Sequence, residues 1–516
     1  MEINAILPVF VALPLIVAAI AALSPFKPLN DALGIIIPAI NLIGGIWLFG
    51  YTAEHGAIGH VIGLYQGGAG ISFAADQFSA IMLITTMTVA VISNWFAIVS
   101  GDTKPRYYVP LALVLITGVS GALLTADLFN FFVMIEVMLL PSYGLIAMTG
   151  TRFRLSSARL FVLVNLAAST LLVMGVGYVY AVTGAVNIGA LQGAAAGNGP
   201  VTVAMGLIVI AISAKAAVFP LHTWLPRTYT STSAAVMGLF SGLHTKVAVY
   251  MLFRIWVVIF DMDPRWNWLI IAVMVVSMLV GAFAGLGEAT IRQVLGYQMV
   301  NGMPFILIML AFTGGPGIGP DAARYALAAG LMYTLHHMIT IGALTLNSGA
   351  IEETYGTGTL SKLSGLMRRD SWTAAIFAAG AFSVIGFPPF SGLWGKLTLI
   401  FAAAAAGDAR SWVAIGAIII ASFAAMLAMF RVWREVFWGQ PMQHYPDTLR
   451  VRWALLAPSA VLMGISLAMF FGAGPLWDAA TGSADALLDV PSYTSAVLGE
   501  DPLGVPDTDS LQGGQR

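Results

Sequence analysis

The chain has 516 residues, 59% of them hydrophobic and only 9% charged, with a mean hydropathy of +0.88. An average soluble domain is about 45–50% apolar and about 25% charged, so this composition excludes a sizeable soluble domain and indicates a polytopic membrane protein. The formal net charge of −1 argues against a nucleic-acid partner, and the absence of cysteine excludes disulfides, thiolate-bound iron–sulfur clusters and Cys-ligated zinc.

Fourteen segments are apolar enough to cross a bilayer as helices, which requires about 20 mainly apolar residues each. The first segment lacks the positively charged start and the cleavage site of a signal peptide, so we expect it to remain as a helix. Residues 53–75 are too polar and Gly-rich to cross, and they predict a surface hairpin. The segments lie at roughly 4–23, 32–51, 76–99, 107–126, 128–149, 157–182, 201–221, 233–259, 268–287, 292–313, 322–346, 372–404, 411–437 and 451–472.

Lysine and arginine concentrate in alternate loops of this arrangement. Loops on one side carry most of the 23 Lys and Arg residues, whereas loops on the other side carry only Arg265, Arg324 and Arg410. Because positive loops stay in the cytoplasm during insertion, this bias supports the span count and predicts that both termini lie outside the cytoplasm. From residue 478 onward the chain is acidic and rich in Gly, Pro and Ser, so we expect a flexible tail, largely disordered or draped on a partner.

Four cationic side chains lie inside hydrophobic runs of the chain, Lys215, Lys246, Arg254 and Lys396, together with one carboxylate, Glu136. A charge at the centre of a bilayer costs roughly 2.5–3.5 kcal/mol on insertion scales, so such residues are usually functional. Arginine keeps its proton in proteins, which makes Arg254 a snorkelling anchor or an ion-pair partner. The other four can exchange protons, and they predict a proton-conducting or cation/proton-antiporting function.

Two of the lysines lie close to prolines: Lys215 precedes Pro220, and Lys396 follows Pro389. Proline removes a backbone N–H and clashes with the preceding turn, so each helix is expected to break there. Such backbone is tolerated at membrane depth only where protein or a watery cavity surrounds it. A lysine at a break can therefore be hydrated and exchange its proton. Proline kinks alone are frequent in membrane helices, and it is the lysines beside them that favour function.

The two breaks are about 180 residues apart, and paired interrupted segments of this kind indicate a duplicated unit. We predict an all-α polytopic fold of about 14 transmembrane helices, with two inverted five-helix repeats and helices broken at mid-membrane. The predicted regions are helices 1–3 (1–105), a first repeat of helices 4–8 (106–260), a second repeat of helices 9–13 (261–440), a last helix (441–477) and the acidic tail (478–516).

Individual polar residues each have a functional and a structural interpretation. Glu136 opposed to Lys215 would form a pair whose proton affinity depends on their separation, and a purely structural ion pair is the alternative. Lys246 is interpreted as a proton relay, or else as a packed helix–helix contact. His244 is two positions from Lys246 and points toward the opposite face, so it is either a satisfied core histidine or a further relay.

His336 and His337 form an adjacent pair in the middle of a span. Histidine carries protons in both directions near neutral pH, and because neighbours diverge by about 100° on a helix we expect one of the two to face the conduction path. Tyr333 and Thr340 lie on the same side and can hold water, and His222 after the first break can line a vestibule. No acid or thiol accompanies the pair, which argues against a metal site.

Four motifs together resemble a known family: FFVMIEVMLLPSY at 131–143, AKAAVFPLHTWLP at 214–226, SGLHTKVAVY at 241–250 and GFPPFSGLWGK at 386–396. They are similar to the antiporter-like subunits shared by Mrp-type multisubunit Na⁺/H⁺ antiporters and the membrane arm of respiratory complex I. The resemblance covers nearly all of the predicted spans. In length and motif wording it is strongest to the D-type members of the Mrp group.

The resemblance implies a hydrated polar axis at mid-membrane, working without a cofactor in the cell membrane. It also implies a hetero-oligomer, with A-, C- and small membrane subunits as partners. Relatives often carry a lysine where this chain has Ile341, so either a histidine takes over its part or water bridges a longer gap. The implied axis consists of Glu136, Lys215, Lys246, His336 or His337, and Lys396.

Three functions stay open at the level of the sequence. The first is a D-type subunit that moves protons in exchange for cytoplasmic Na⁺. The second, a proton-pumping subunit of an NADH or ferredoxin dehydrogenase, would use the same axis. The third is a stand-alone solute carrier with a pocket at the broken helices, against which the evenly spaced lysines argue. No cluster of carboxylates forms a persuasive sodium site, so the sodium path is expected in another subunit.

Overall fold

The computed structural model describes residues 3–63, 65, 67–148, 150–315 and 318–499. These residues are mostly α-helical, as the sequence predicts. The helices of the first half are α1 (Val9–Leu23), α2 (Lys27–His55), α3 (Gln77–Ser100), α4 (Tyr108–Leu124), α5 (Leu128–Ala147), α6 (Arg152–Thr183), α7 (Gly199–Lys215), α8 (Trp224–Tyr229) and α9 (Ala234–Val258). Those of the second half are α10 (Asn267–Ala284), α11 (Ile291–Leu307), α12 (Pro320–Tyr355), α13 (Leu366–Arg369), α14 (Ser371–Ile385), α15 (Gly392–Ala406), α16 (Ala409–Val432), α17 (Trp453–Phe471), α18 (Ala473–Leu488) and α19 (Val490–Leu498).

Eleven helices within the described residues are long and apolar enough to cross a membrane. Four further apolar helices, α4, α7, α14 and α15, have only 15 to 17 residues. Together they identify a multi-pass membrane protein. The segment expected to form one span at 372–404 is divided into α14 and α15, and the helix expected at 201–221 ends at Lys215.

The centre of the molecule is built on α9 and α12, whose most apolar stretches are 100% buried, compared with 28% for α1. Helix α12 packs against α9, α11, α14, α15 and α17. Because other helices rather than lipid surround α9 and α12, these two can carry histidine and lysine at membrane depth. The peripheral helices carry their exposed apolar side chains outward instead.

Polar residues set the starts of several helices. Asp76 accepts a hydrogen bond from the Ser79 backbone N–H at the start of α3, and the Ser79 hydroxyl reciprocates by accepting from the Asp76 backbone N–H. Asp408 and Ser411 form the same reciprocal box at the start of α16. These side chains satisfy N–H groups that have no partner inside the helix, which fixes where each helix begins.

A two-stranded hairpin separates α2 from α3, confirming the hairpin predicted for 53–75. Strands β1 (Ile58–Val61) and β2 (Ser72–Ala75) pair antiparallel, with Ile58 opposite Ala75. Helix α19 packs on both strands. Gly59 permits this contact, because a Cβ there would collide with the Ala496 carbonyl.

The flexible tail predicted from residue 478 is wrong for residues 478–498, which form most of α18 and all of α19. Ser483 Oγ donates to the Gln77 carbonyl (3.3 Å), and Thr494 Oγ1 donates to Gln192 Oε1 (3.2 Å). Composition suggested disorder, but buried apolar residues of the two helices pack on the body of the molecule and outweigh it. Residues 500–516 of the predicted tail lie outside the described residues.

Candidate functional site

The first helix break places Lys215 at the last residue of α7. Its side chain is 4% exposed, and Nζ donates a hydrogen bond to Ser169 Oγ of α6 at 2.9 Å. Side chains satisfy backbone groups on both sides of the break: Trp224 Nε1 donates to the Ala214 carbonyl (2.9 Å), and the Phe219 N–H donates to Ser277 Oγ (2.9 Å). Protein therefore surrounds this break, as a break at membrane depth requires.

Glu136 lies on α5 with Oε1 buried and, within the described part of the chain, without a hydrogen-bond partner. No ion pair among the described residues joins it to Lys215, although its charge reaches Lys215 and Tyr143 electrostatically. The expected pair is thus adjacent but separated in this structure. A buried carboxylate oxygen without a protein partner is costly unless water or a proton occupies it.

Lys246 is fully buried at the centre of α9. Its Nζ donates to Thr245 Oγ1 at 3.2 Å and lies 3.9 Å from Met303 Sδ. One hydroxyl and one thioether do not satisfy the three donors of an ammonium group. Protein acceptors therefore do not satisfy all the hydrogen-bond donors of this lysine, as a purely structural packed contact would require.

His244 has both ring nitrogens hydrogen-bonded. Nε2 bonds Ser142 Oγ on α5 at 2.9 Å, and Nδ1 bonds the Tyr229 hydroxyl on α8 at 3.0 Å. The ring stacks on Phe240, with the centroids 4.3 Å apart. This is the geometry of the satisfied core histidine, although the charge of Lys215 lies within electrostatic range.

His336 and His337 point toward different lysines. His337 Nε2 lies 3.3 Å from the Gln298 carbonyl of α11, within electrostatic range of Lys246. His336 Nδ1 is hydrogen-bonded to Ser391 Oγ at 2.8 Å, within range of Lys396. The angle between neighbouring helix positions therefore places the two rings near different lysines. That only one of the two histidines faces the conduction path stays a prediction.

Tyr333 and Thr340 accompany the histidine pair at the predicted helical spacing. The Tyr333 ring lies 5.3 Å from the His336 ring and 6.1 Å from the His337 ring. Thr340 Oγ1 is hydrogen-bonded to His336 Nδ1 at 3.2 Å. Both side chains are buried, so they shape the surroundings of the two rings.

Lys396 lies on α15, after the second break. Its Nζ donates to the carbonyl of Ile385, the last residue of α14, at 3.0 Å, and to Ser422 Oγ of α16 at 2.8 Å. It also lies 5.2 Å from the centre of the Phe305 ring. The ammonium group thus donates a hydrogen bond to a carbonyl at the end of α14 that has no partner within the helix.

His222 is buried beside the first break but lies apart from these contacts. Its ring stacks on Phe219 at 5.7 Å, and Nδ1 has no hydrogen-bond partner among the described residues. The proposed vestibule role is neither supported nor opposed by these contacts.

Arg254 is an ion-pair partner and does not snorkel. It pairs with Asp76 at 2.7 Å, and both side chains are 1% exposed. The guanidinium also lies over the Tyr493 ring of α19, 4.4 Å from its centre. The sequence does not reveal the role of Asp76, because this residue stands at the edge of the predicted span 76–99 and its partner lies far along the chain. An acid immediately before a long apolar helix was the available signal.

Comparison with known proteins gives consistent matches along most of the chain. A family model described as "NADH:quinone oxidoreductase/Mrp antiporter, TM" matches residues 125–427. The D-type Na(+)/H(+) antiporter subunit of Alkalihalophilus pseudofirmus is 31% identical over 90% of this chain and 92% of its own length, and that of Bacillus subtilis is 30% identical over 92% and 94%. A chain of the Mrp complex from Dietzia sp. DQ12-45-1b has a TM-score of 0.91 at 36% identity, covering 97% of this chain and all of its own. A chain of an archaeal membrane-bound sulfane sulfur reductase shares the fold, with a TM-score of 0.84 at 22% identity, and covers 96% of this chain and all of its own.

Proposed function

Because the chain belongs to the NADH:quinone oxidoreductase/Mrp antiporter family, we propose that it is the proton-translocating D-type subunit of a multisubunit Na⁺/H⁺ antiporter. Protons move along the mid-membrane groups in exchange for cytoplasmic Na⁺. The relatives named as antiporter subunits favour this function over a subunit of a redox-driven pump.

One observation supports the proposal: titratable side chains, buried or half-buried, follow one another from α5 to α15. Each lysine of the series has a charged or titratable neighbour within electrostatic range, and none is locked in an ion pair among the described residues. Groups held this way can change their proton without first breaking a salt bridge. The series is Glu136, Lys215, Lys246, His337, His336 and Lys396.

The separation of Glu136 and Lys215 acts as the switch in this mechanism. When the carboxylate moves close, the ammonium form of Lys215 is stabilised and the lysine loads a proton. When the two are apart, Lys215 gives its proton onward toward Lys246. The hydrogen bond to Ser169 belongs to the separated arrangement.

The proposal also covers the number of spans, the two repeats and the location of the termini. About 14 spans are reached if α14 and α15 together cross the membrane once, and regions 106–260 and 261–440 form the two inverted repeats. Both termini lie outside the cytoplasm of the cell membrane. The partners are A-, C- and small membrane subunits, one of which carries the Na⁺ path.

The experiment that tests this function uses the complete complex in membrane vesicles. Lys215→Ala and Glu136→Ala should each slow pH-driven Na⁺ exchange at least about tenfold, because a general acid–base group typically contributes 10²–10⁴-fold. Lys362→Ala, which removes an exposed lysine, is the control and should leave exchange unchanged. Intact exchange in both axis variants would refute the mechanism.

A further inference from the structure

Four buried hydroxyl groups form a closed hydrogen-bonded ring with His336. Ser391 Oγ lies 2.8 Å from His336 Nδ1 and 2.8 Å from Ser466 Oγ. Ser466 lies 3.2 Å from Ser383 Oγ, which lies 3.0 Å from Thr340 Oγ1. Thr340 closes the ring at His336 Nδ1 (3.2 Å). The four side chains come from α12, α14, the second break and α17, and all are at most 3% exposed.

This ring differs from the usual hydroxyls of membrane helices. Ser459, on the same helix as Ser466, donates to the Leu456 carbonyl, and Thr334 donates to the Gly330 carbonyl. A backbone carbonyl can only accept, so a proton cannot pass through such a bond. A hydroxyl can donate and accept at once, so a chain of hydroxyls can reverse the direction of every bond.

A cleft at the ends of α15 and α17 begins one helical turn from Ser466. One helical turn beyond Ser466, the Phe470 carbonyl accepts a hydrogen bond from Trp394 Nε1 at 3.2 Å. Trp394 and Phe470 line a cleft of about 720 Å³, together with Trp477 of α18 and Tyr325 of α12. A water molecule takes about 30 Å³ in the liquid, so the cleft has room for several, although most of its lining side chains are apolar. These helix ends face the non-cytoplasmic side in the proposed orientation.

We infer that Ser466 and Ser391 form a branch through which protons from the non-cytoplasmic side reach His336. This inference rests on the proposed function. A proton that arrives at Ser466 bonds to its oxygen as Ser466 passes its own proton to Ser391. Ser391 in turn gives its proton to Nδ1 of His336. Each O–H bond that breaks is replaced by one that forms, so both hydroxyls end as they began.

The branch meets the proposed series between Lys246 and Lys396. The titratable groups that face His336 among the described residues are Lys396 of α15, and His337 and Tyr333 of its own helix. A proton delivered to His336 can therefore go on to Lys396, or through His337 toward Lys246. This position suits the place where external protons enter the series.

The test compares Ser466→Ala with Ser459→Ala in the complete complex. Both serines are fully buried on α17, so both substitutions remove one buried hydroxyl from the same helix. We expect Ser466→Ala to slow proton-driven Na⁺ exchange at least about fivefold, with the loss greatest when external protons are scarce, because a proton-transfer group has been removed. Ser459→Ala should match the unmodified complex, and Ser391→Ala should reproduce Ser466→Ala.

Equal exchange rates for the Ser466→Ala and Ser459→Ala complexes would overturn the branch, provided the unmodified complex exchanges Na⁺ for H⁺. If the unmodified complex shows no exchange at all, the proposed function itself fails. A Ser466→Ala complex that assembles poorly but exchanges normally per assembled complex would also overturn the branch. It would show that the ring contributes to assembly and not to proton transfer. Co-purification of the partner subunits measures the assembly.

Discussion

His336 and His337 are neighbours in sequence, yet they approach different lysines. His337 approaches Lys246 and α11, whereas His336 approaches Lys396 and the second break. The divergence of adjacent helix positions makes this possible from one short stretch of α12. In the proposed series, the pair takes the part of the lysine that the family resemblance implies at Ile341.

This arrangement predicts that the two histidines act in series. His336→Gln and His337→Gln should each slow Na⁺-driven proton movement in vesicles, and the double variant should be no slower than the more severe single one, because residues that act as a unit are not additive. His444→Gln removes an exposed histidine and is the control. Normal transport in either single variant would exclude that histidine from the path.

The buried pair Arg254–Asp76 has a structural role that can be measured separately. Removing one partner leaves an uncompensated buried charge, so Asp76→Asn should destabilise the protein by about 3–5 kcal/mol. Asp485→Asn is the control, because its partner Arg324 is 33% exposed and surface pairs contribute only about 0–1 kcal/mol. Thermal unfolding of the purified complex checks both. Equal melting temperatures for the two variants would contradict the account.

At the scale of single elements, α11 sets the position of His337. A Cβ at Gly302 would collide with the His337 ring, so the helix backbone must lie against the imidazole at this point. Gly302→Ala should therefore displace the ring and abolish exchange in an assembled complex. Gly206→Ala, on α7 with open space around it, should keep full exchange, since Ala favours a helix over Gly by about 1 kcal/mol. Full exchange by Gly302→Ala would show that the ring position is not critical.

The first turn of α5 predicts a pH-dependent stability. Asp127 caps this helix by accepting a hydrogen bond from the Asn130 backbone N–H at 2.7 Å. Burial raises the pKa of Asp127 from 3.8 to about 6, against the weaker opposing effect of its backbone hydrogen bonds. The folded state therefore binds a proton more tightly than the unfolded chain. Stability falls as pH rises from about 4 to about 6.

Asp127→Asn keeps the cap but removes this titration. The variant should gain stability relative to the unmodified protein as pH rises through this window, by about 2–3 kcal/mol at pH 7. Asp408→Asn should instead lose stability relative to the unmodified protein as pH rises. Burial disfavours the charge of Asp408, but hydrogen bonds from Arg410 and Ser411 outweigh it and lower its pKa. Melting temperatures at pH 4 and pH 7 measure both; a constant difference between Asp127→Asn and the unmodified protein would refute the Asp127 prediction.

At the scale of the whole molecule, the apolar pattern predicted the helical membrane fold, the hairpin and the division of two spans at prolines. It could not predict α18 and α19, because their burial depends on packing against distant strands and helices. The lysines were evident from charge at membrane depth. The hydroxyl ring around His336 was not, since Thr340, the two serines Ser383 and Ser391, and Ser466 come from three separate predicted spans and serine is common in helices. Asp76 stayed hidden for the same reason: its partner lies far along the chain.

The proposed proton path depends on water molecules that join titratable side chains not in direct contact. Lys246 has one hydroxyl acceptor, and Glu136 Oε1 has no hydrogen-bond partner among the described residues. Buried polar groups without protein partners usually hold ordered water. The gaps in the series are therefore expected to be wet rather than packed.

A cryo-electron microscopy map of the assembled complex that resolves ordered water tests this claim most directly. The account predicts water between Glu136 and Lys215, and a further chain from Lys246 past His337 and His336 to Lys396. Dry gaps filled by apolar side chains at these places would contradict it.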